Sequence, residues 1–312
     1  RRPAHTQLEF RDHRLIEKAY RLSEVFFDLP EDAKRKYEDL ELKGQRGFTS
    51  FGREHAKGAA AADLKYLPTP HSLSDVDTRI RTLDQVMTQD SLGKPIMTRP
   101  LNPEEYRFIQ NERLVCACDA GYFLTRYAWL TDETNTAVRF KFRGAQSLFF
   151  SVIAEIESRH GAIELLIAKG RQQYITTISE LLELHRVIHR HYTNCFVASA
   201  DRDKSAEMMK KALFAYDHLP WWLKPKTSRR VEGIPGLLEF ADLDSRMTFV
   251  HGSGSARAKG AQRTGIARGT TPTIYHLSEA AHFPNPEEQI EAAIFRSVHA
   301  SPKVFGVIES SF

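Results

Sequence analysis

The sequence predicts an α/β fold in which a mostly parallel β-sheet is flanked by helices. Five short apolar runs of strand length occur between residues 163 and 310, and helical patterns separate them. Strands that alternate with helices are joined by right-handed crossovers, which make neighbouring strands parallel. The 312 residues are 41% hydrophobic, which is enough to bury a substantial core.

Residues 1–66 are predicted to form a helical segment ahead of this fold. The stretch HRLIEKAYRLSEVFF spaces its apolar residues for a helix, and Pro30 opens a second, charged helix. Residues 67–100 contain four prolines and little periodicity, which is typical of a linker. We therefore expect three parts, with the α/β region at residues 101–312.

The α/β region is predicted to open with a long, aromatic helical stretch that starts at Pro103. The predicted strands lie at residues 163–168, 194–200, 246–252, 273–279 and 303–310. Ligands of parallel sheets bind beyond the carboxyl ends of the strands, so functional residues are expected there.

Composition argues against several classes of protein. The net charge of +4 does not by itself indicate a nucleic-acid partner, and the basic clusters at 224–230 and 257–268 also fit solvated loops. Three cysteines without paired zinc spacing favour neither a disulfide framework nor a zinc site, and fit a reducing cytoplasm. No apolar run reaches the roughly 18 residues of a membrane span. Because the chain runs from Arg1 to a strand-like end at Phe312, we expect a fragment.

The loop after the first predicted strand has features of a phosphate-binding site. Lys169, Gly170 and Arg171 begin this loop, and Thr176 and Thr177 open the next helix. A helix N-terminus attracts anions through its free N–H groups and its dipole, and a hydroxyl there can ligate Mg²⁺. Alternatively, the threonines only cap the helix.

Polar residues also end two later strands. Ser278 and Glu279 follow the fourth strand, where nucleotide hydrolases place an acidic residue for Mg²⁺ and a glutamate that polarises water. Glu309, Ser310 and Ser311 end the fifth strand, where hydroxyls could sense a γ-phosphate. Each could equally be an ordinary strand terminus.

Gln146 lies between aromatic residues just before a predicted helix. A glutamine amide can pair with the donor and the acceptor of an adenine edge while an aromatic ring stacks on the base. A helix-capping glutamine is the alternative.

Residues 101–312 resemble the ATPase domain of the large terminase subunit of tailed bacteriophages. The resemblance rests on the order and spacing of NERLVCACDAGYFLTRYAWL, FRGAQ, AKGRQQYITTISELLELHRVI, VASADRDKSAEMM, LPWWLKP, IYHLSEAAHFPNPEEQIEAAI and VFGVIESSF. It implies a P-loop NTPase (RecA-like) fold that uses Mg²⁺ and ATP to translocate double-stranded DNA. The partners implied are the viral portal, the small terminase subunit and further copies in a ring, in the cytoplasm of a bacterial host and without a membrane.

The resemblance also implies roles for individual residues. Glu279 is the implied Walker B catalytic glutamate, Arg171 the implied catalytic cation, and Thr176 and Ser278 the implied metal ligands. The implied nucleotide contacts are Gln146, Lys169, Gly170, Arg171, Gln172, Thr176, Thr177, Arg268, Glu309 and Ser310.

The sequence departs from the family's Walker A loop at two positions. Tyr174 replaces a glycine, which crowds a turn that needs positive φ, and Ile175 replaces a lysine. Lys169 or Arg171 must then supply the cation, and we expect Arg171. A module that binds nucleotide without hydrolysing it is the alternative. Because the nuclease domain of the family is absent, we expect no DNA cleavage by that mechanism.

Residues 1–66 resemble a different family, the N-terminal region of isopenicillin-N-synthase-like 2-oxoglutarate/Fe(II) oxygenases. The resemblance includes the stretch GFTSFGREHAKG. Such oxygenases bind iron through a His-x-Asp/Glu pair and a distal His, and no histidine of this chain has Asp or Glu two residues later. We therefore expect this part to lack catalysis, in a chimeric chain.

Overall fold

The computed structural model describes residues 70–91, 94–252, 271–283 and 304–311. These residues belong to one compact unit that begins at Pro68. The predicted helical segment at 1–66 and the predicted nucleotide contact Arg268 lie outside the described residues.

The described helices and strands alternate along most of the unit. The helices are α1 (Leu73–Asp84), α2 (Pro103–Cys118), α3 (Ala120–Tyr127), α4 (Gly144–His160), α5 (Ile175–His189) and α6 (Arg202–Asp217). The strands are β1 (Met87–Gln89), β2 (Pro95–Met97), β3 (Trp129–Thr131), β4 (Ala137–Arg139), β5 (Ile163–Lys169), β6 (Asn194–Ser199), β7 (Arg229–Val231), β8 (Gly236–Phe240), β9 (Ser245–His251), β10 (Ile274–Ser278) and β11 (Phe305–Ser311).

A seven-stranded, mostly parallel sheet organises the unit. Its strand order is β5-β11-β10-β6-β9-β8-β7. The five predicted strands are confirmed as β5, β6, β9, β10 and β11, and each pairs in parallel with its neighbours in this set. The antiparallel extension through β8 and β7 was not predicted from the sequence.

Helix α5 is a buried helix that packs against this sheet. Its residues Ile178, Leu181, Leu182, Leu184 and Val187 are at most 1% exposed and belong to the main hydrophobic core. The helix follows β5 after a loop of five residues, 170–174. The burial of α5 therefore fixes its N-terminus next to the carboxyl end of β5.

The long helical stretch predicted from Pro103 is two helices instead of one. The break is at Asp119, whose carboxylate accepts a hydrogen bond from the backbone N–H of Tyr122 at 2.8 Å and so caps α3. An aspartate that caps a new helix in this way competes with continuation of the preceding one.

The segment predicted as a linker contains helix α1 and the β1–β2 hairpin. Val76 and Leu83 of α1 are buried in the main core. Asp77 of the same helix forms an ion pair with Arg139 at 2.6 Å. Residues 73–84 are therefore packed against the α/β unit.

The three cysteines are free thiols, with Cys116 and Cys195 buried and Cys118 exposed. None of the helices within the described ranges is long and apolar enough to cross a membrane.

The ring of Tyr275 in β10 approaches Gly306 in β11 closely, because residue 306 has no side chain. A Cβ at position 306 would overlap the ring of Tyr275, which is 1% exposed. Tyr275 is held in place, because its hydroxyl donates a hydrogen bond to Glu164 at 2.9 Å.

We predict that Gly306→Ala destabilises the unit, because the added methyl group displaces the Tyr275 ring. The expected loss is about 1–3 kcal/mol in the free energy of unfolding, typical of overpacking. Gly144→Ala is the matched control, since no atom lies within 4 Å of a Cβ there. Urea unfolding of both variants tests this, and equal stability of the two would contradict the close approach.

Candidate functional site

The carboxyl ends of three neighbouring strands meet at one edge of the sheet. Strand β11 lies between β5 and β10, and its register pairs Glu309 with Ser278 and Ser311 with Lys169. The N-terminus of α5 starts at the same edge. Polar residues that lie more than a hundred positions apart in the sequence thus come into contact.

The carboxylate of Glu309 is the centre of this contact. Its Oε1 accepts hydrogen bonds from the hydroxyls of Thr176 at 2.7 Å and Ser278 at 2.6 Å. Its Oε2 forms an ion pair with the ammonium of Lys169, which also donates to Thr176 Oγ1 at 2.7 Å. Glu309 is fully buried, so these partners replace the water it has lost.

The ionisation of Glu309 is set by these neighbours. Burial alone would raise the pKa of this carboxyl, but His276, Lys169 and Ser278 outweigh it and lower the pKa of Glu309 to about 2. The group is therefore a carboxylate at neutral pH.

A second buried layer lies beneath Glu309. His276 of β10 is fully buried, with Nδ1 2.9 Å from Glu183 of α5 and Nε2 3.5 Å from Glu309. Burial lowers the pKa of His276, but the two carboxylates outweigh it and raise the pKa to about 10. An imidazolium thus connects α5 to the carboxylate at the strand ends.

Glu180, one turn before Glu183, is also buried. Burial raises the pKa of Glu180 to about 8, although Lys211 and His276 oppose this shift. Sequence reasoning missed His276, Glu183 and Glu180. The available signals were a histidine inside an apolar strand and two glutamates three positions apart on a mostly apolar helix.

Glu279 faces the same edge but reaches solvent, with 27% of its side chain exposed. Its Oε2 accepts hydrogen bonds from the hydroxyl of Ser311 at 2.7 Å and from the Ser311 N–H at 3.1 Å. Its Oε1 lies 3.8 Å from Lys169 Nζ. The residue has φ 55°, a left-handed conformation that a non-glycine residue adopts at some cost.

The loop between β5 and α5 contains two further left-handed residues, Gln172 and Tyr174, with φ 61° and 56°. Tyr174 is the N-cap of α5 and makes no side-chain capping bond, so neither Thr176 nor Thr177 caps this helix. The Tyr174 ring packs under the guanidinium of Arg143, 4.1 Å from the ring centroid. This cation–π contact offsets part of the backbone cost.

Gln146 supports the loop from the side. Its Nε2 donates to the carbonyl of Tyr174 at 3.0 Å, and its Oε1 accepts from the Arg143 N–H at 3.1 Å. The structure therefore has the helix-capping arrangement, and the residue is buried. Contact with an adenine edge remains a prediction that requires Gln146 to release both partners.

Of the two cations considered for the loop, the structure brings Lys169 to Thr176. Arg171 is exposed and forms no hydrogen bond or ion pair with the part of the chain that the structure describes. Ile175, which the sequence resemblance aligns with a lysine, is buried in the core. Its side chain is thus committed to packing α5 on the sheet.

The other predicted site residues lie around this loop. Gly170 and Thr177 are half-buried and Gln172 is exposed. The Ser310 hydroxyl accepts a hydrogen bond from the N–H of Ala281 at 3.4 Å, which connects the ends of β11 and β10.

Two of the four basic residues at 224–230 have partners within the fold. Arg230 forms ion pairs with Asp217 and Glu232, each at 2.9 Å. Lys224 donates to the carbonyl of Asp217 at 2.7 Å and lies over the ring of Tyr216. These contacts favour the interpretation of solvated structural charges over that of a nucleic-acid patch.

The donor atoms at the strand ends suit a hard cation. Within the described ranges, no three His, Cys, Asp or Glu side chains are grouped to hold a metal ion. Mg²⁺ instead prefers one or two carboxylates with other oxygen ligands and water. Thr176, Ser278 and Glu309 provide two hydroxyls and one carboxylate in mutual contact, so they fit this ion.

Comparison with known proteins gives two matches for different parts of the chain. Residues 10–83 match the family described as non-haem dioxygenase in morphine synthesis N-terminal. The matched range includes most of the oxygenase-like residues 1–66 and extends into helix α1. The chain is also similar to the crystal structure of the HK97 bacteriophage large terminase, with a TM-score of 0.46 and 14% identity. That match covers 60% of this chain and 36% of the terminase, so the chain spans about a third of its length. No curated protein matches the chain.

We predict that the effects of substituting Glu183 and His276 on stability are strongly coupled. Removal of either residue leaves the other as an unpaired buried charge. Glu183→Leu or His276→Leu alone should cost about 3–5 kcal/mol in the free energy of unfolding. The double variant should cost at least about 1 kcal/mol less than the sum of the two.

The measurement is a double-mutant cycle by urea unfolding. The exposed pair Glu155–Arg159 is the control, for which a coupling of about 0.5 kcal/mol or less is expected. Additive effects at Glu183 and His276 would contradict the buried ion pair.

Proposed function

We propose that the α/β unit is the ATP-hydrolysing motor domain of a viral DNA-packaging terminase large subunit, with a P-loop NTPase (RecA-like) fold. The observation that carries the proposal is the contact of Lys169, Thr176, Glu279 and Glu309 at the N-terminus of α5. This edge combines a helix N-terminus, a cation, metal-binding oxygens and a solvent-accessible carboxylate. Those are the components that nucleoside triphosphate hydrolysis requires.

The phosphates would bind at the loop between β5 and α5. The free N–H groups of the first turn of α5 and the dipole of that helix favour an anion there. Lys169 supplies a positive charge at the end of β5, and Arg171 is exposed in the loop for contact from solvent. Mg²⁺, when bound at the Thr176 and Ser278 hydroxyls, supplies neutralisation of phosphate charge.

Glu279 would act on the attacking water. Ser311 holds the carboxylate by two hydrogen bonds, and a quarter of the side chain is exposed, so a water molecule can reach it. The carboxylate orients this water and accepts its proton as the oxygen attacks the γ-phosphorus, and the bond from that phosphorus to the bridging oxygen breaks with ADP as the leaving group. The resulting Glu279 carboxylic acid returns the proton to solvent.

Coupling to movement would start from the same contact. Ser311 ends β11, so a change in its hydrogen bonds to Glu279 is transmitted to the strand at the centre of the site. Double-stranded DNA, the viral portal, the small terminase subunit and a ring of copies in a bacterial host cytoplasm are the partners proposed. This part rests on the sequence resemblance.

A nucleotide-binding module without hydrolysis is the second candidate. Tyr174 holds a left-handed conformation at the turn. Position 175 is an isoleucine packed in the core, so it supplies no cation to the phosphates. The oxygenase-like residues suggest an additional non-catalytic part, since the iron-binding sequence pattern is missing.

We predict that Glu279→Gln lowers ATP turnover by about 10²–10⁴-fold, because the amide cannot accept the proton of water. Nucleotide affinity, measured by calorimetry on the full chain, should change only a few-fold. Glu133→Gln, at the exposed turn between β3 and β4, is the control and should leave both quantities unchanged.

The possible outcomes separate the candidates. Binding with turnover that Glu279→Gln abolishes supports the motor. Binding by the wild-type chain without phosphate release supports the second candidate. If calorimetry detects no nucleotide binding, both are wrong.

A further inference from the structure

We propose that Glu309 supplies the metal-ligating carboxylate of this site, in place of the carboxylate missing at position 278, and that Lys169 occupies the cation position until nucleotide binds. This inference rests on the proposed function and identifies the metal ligand of that site. The prediction from the sequence gave the metal only two hydroxyls, Thr176 and Ser278.

The register of the sheet places a carboxylate beside position 278. Position 278 ends β10 with a serine, which carries no charge. Its direct partner across the parallel ladder is Glu309 of β11. The carboxylate on the neighbouring strand reaches Ser278 Oγ at 2.6 Å, so a negative charge is present within hydrogen-bonding distance of the position that lacks one.

A cation, the Lys169 ammonium, already lies beside Glu309. The Lys169 ammonium contacts Glu309 Oε2 and lies 2.7 Å from Thr176 Oγ1. This ammonium contacts both a carboxylate and a hydroxyl of α5. Its position therefore marks where the local attraction for positive charge is strongest. A divalent ion would gain the same contacts with twice the charge.

The Glu309 carboxylate is also held in a fixed position. Glu309 is fully buried, and its Oε1 is fixed by Thr176 and Ser278. His276 lies behind it at 3.5 Å and is itself paired with Glu183. A ligand held by fixed neighbours pays little ordering cost when the ion binds.

The arrangement gives Lys169 two positions. Without nucleotide, its ammonium neutralises Glu309. When Mg²⁺ and nucleotide bind together, the ion replaces the ammonium at Glu309, and Lys169 is released toward the phosphates and toward Glu279, which is 3.8 Å away. Metal and nucleotide should therefore bind cooperatively. The metal ion releases the Lys169 ammonium for the phosphates, and the phosphates stabilise the ammonium away from the metal position.

The test measures Mn²⁺ affinity of the full chain by electron paramagnetic resonance, with and without a non-hydrolysable ATP analogue. Glu309→Gln should weaken Mn²⁺ binding at least about tenfold in the presence of the analogue. Affinity for the analogue in EDTA, measured separately, should stay within a few-fold of wild type. Glu164→Gln, on β5 and bonded to Tyr275, is the matched control and should leave Mn²⁺ binding unchanged.

Two further variants keep the test decisive if Glu309→Gln folds poorly. The exchange Ser278→Asp with Glu309→Ser returns the carboxylate to β10 and should recover most of the Mn²⁺ affinity. Lys169→Met removes the competing ammonium and should tighten the binding of Mn²⁺ alone. A purely structural role for Glu309 predicts neither result.

The outcomes distinguish this inference from the proposed function. If the analogue binds in EDTA and Glu309→Gln leaves Mn²⁺ affinity at the wild-type value, the inference is wrong and the nucleotide site stands. If Lys169→Met fails to tighten the binding of Mn²⁺ alone, the ammonium does not occupy the cation position. If wild type binds no analogue at all, the proposed function fails and the inference falls with it.

Discussion

The buried carboxylate of Glu309 is the constraint on which the site depends. An isolated carboxylate in a protein interior is strongly unfavourable, so the fold must bring cations and donors to it. Lys169 of β5, Thr176 of α5, and Ser278 and His276 of β10 meet this requirement from three different elements. The same contacts therefore stabilise the strand order and set the chemistry of the edge.

The strand order explains how a few residues from distant parts of the chain form one site. Strand β11 enters the sheet between β5 and β10, so the last strand described completes contacts between residues far apart in the chain. The missing side chain at Gly306 lets the Tyr275 ring pack across β10 and β11. A polar strand end that would be ordinary by itself becomes part of a site because its neighbours end at the same edge.

The sequence predicted the five parallel strands because each is an apolar run bounded by helical patterns, and it located the strand-end residues Lys169, Ser278 and Glu309. It did not predict their pairing, since register and side-chain contact depend on the assembled sheet. It also missed the buried His276–Glu183 pair, because composition alone cannot show that a charged residue on an apolar element has a partner. The break at Asp119 was missed because one capping side chain overrides a continuous helical pattern.

Nucleotide and metal are proposed to meet at Glu309, and one measurement tests this most directly. Crystals grown with Mn²⁺ and a non-hydrolysable ATP analogue would be measured at the manganese absorption edge. We expect an anomalous peak about 2–2.5 Å from the Glu309 carboxylate and the Thr176 hydroxyl, with the Lys169 ammonium moved to the phosphates. A peak ligated only by other residues, with the ion pair between Lys169 and Glu309 intact, would contradict it.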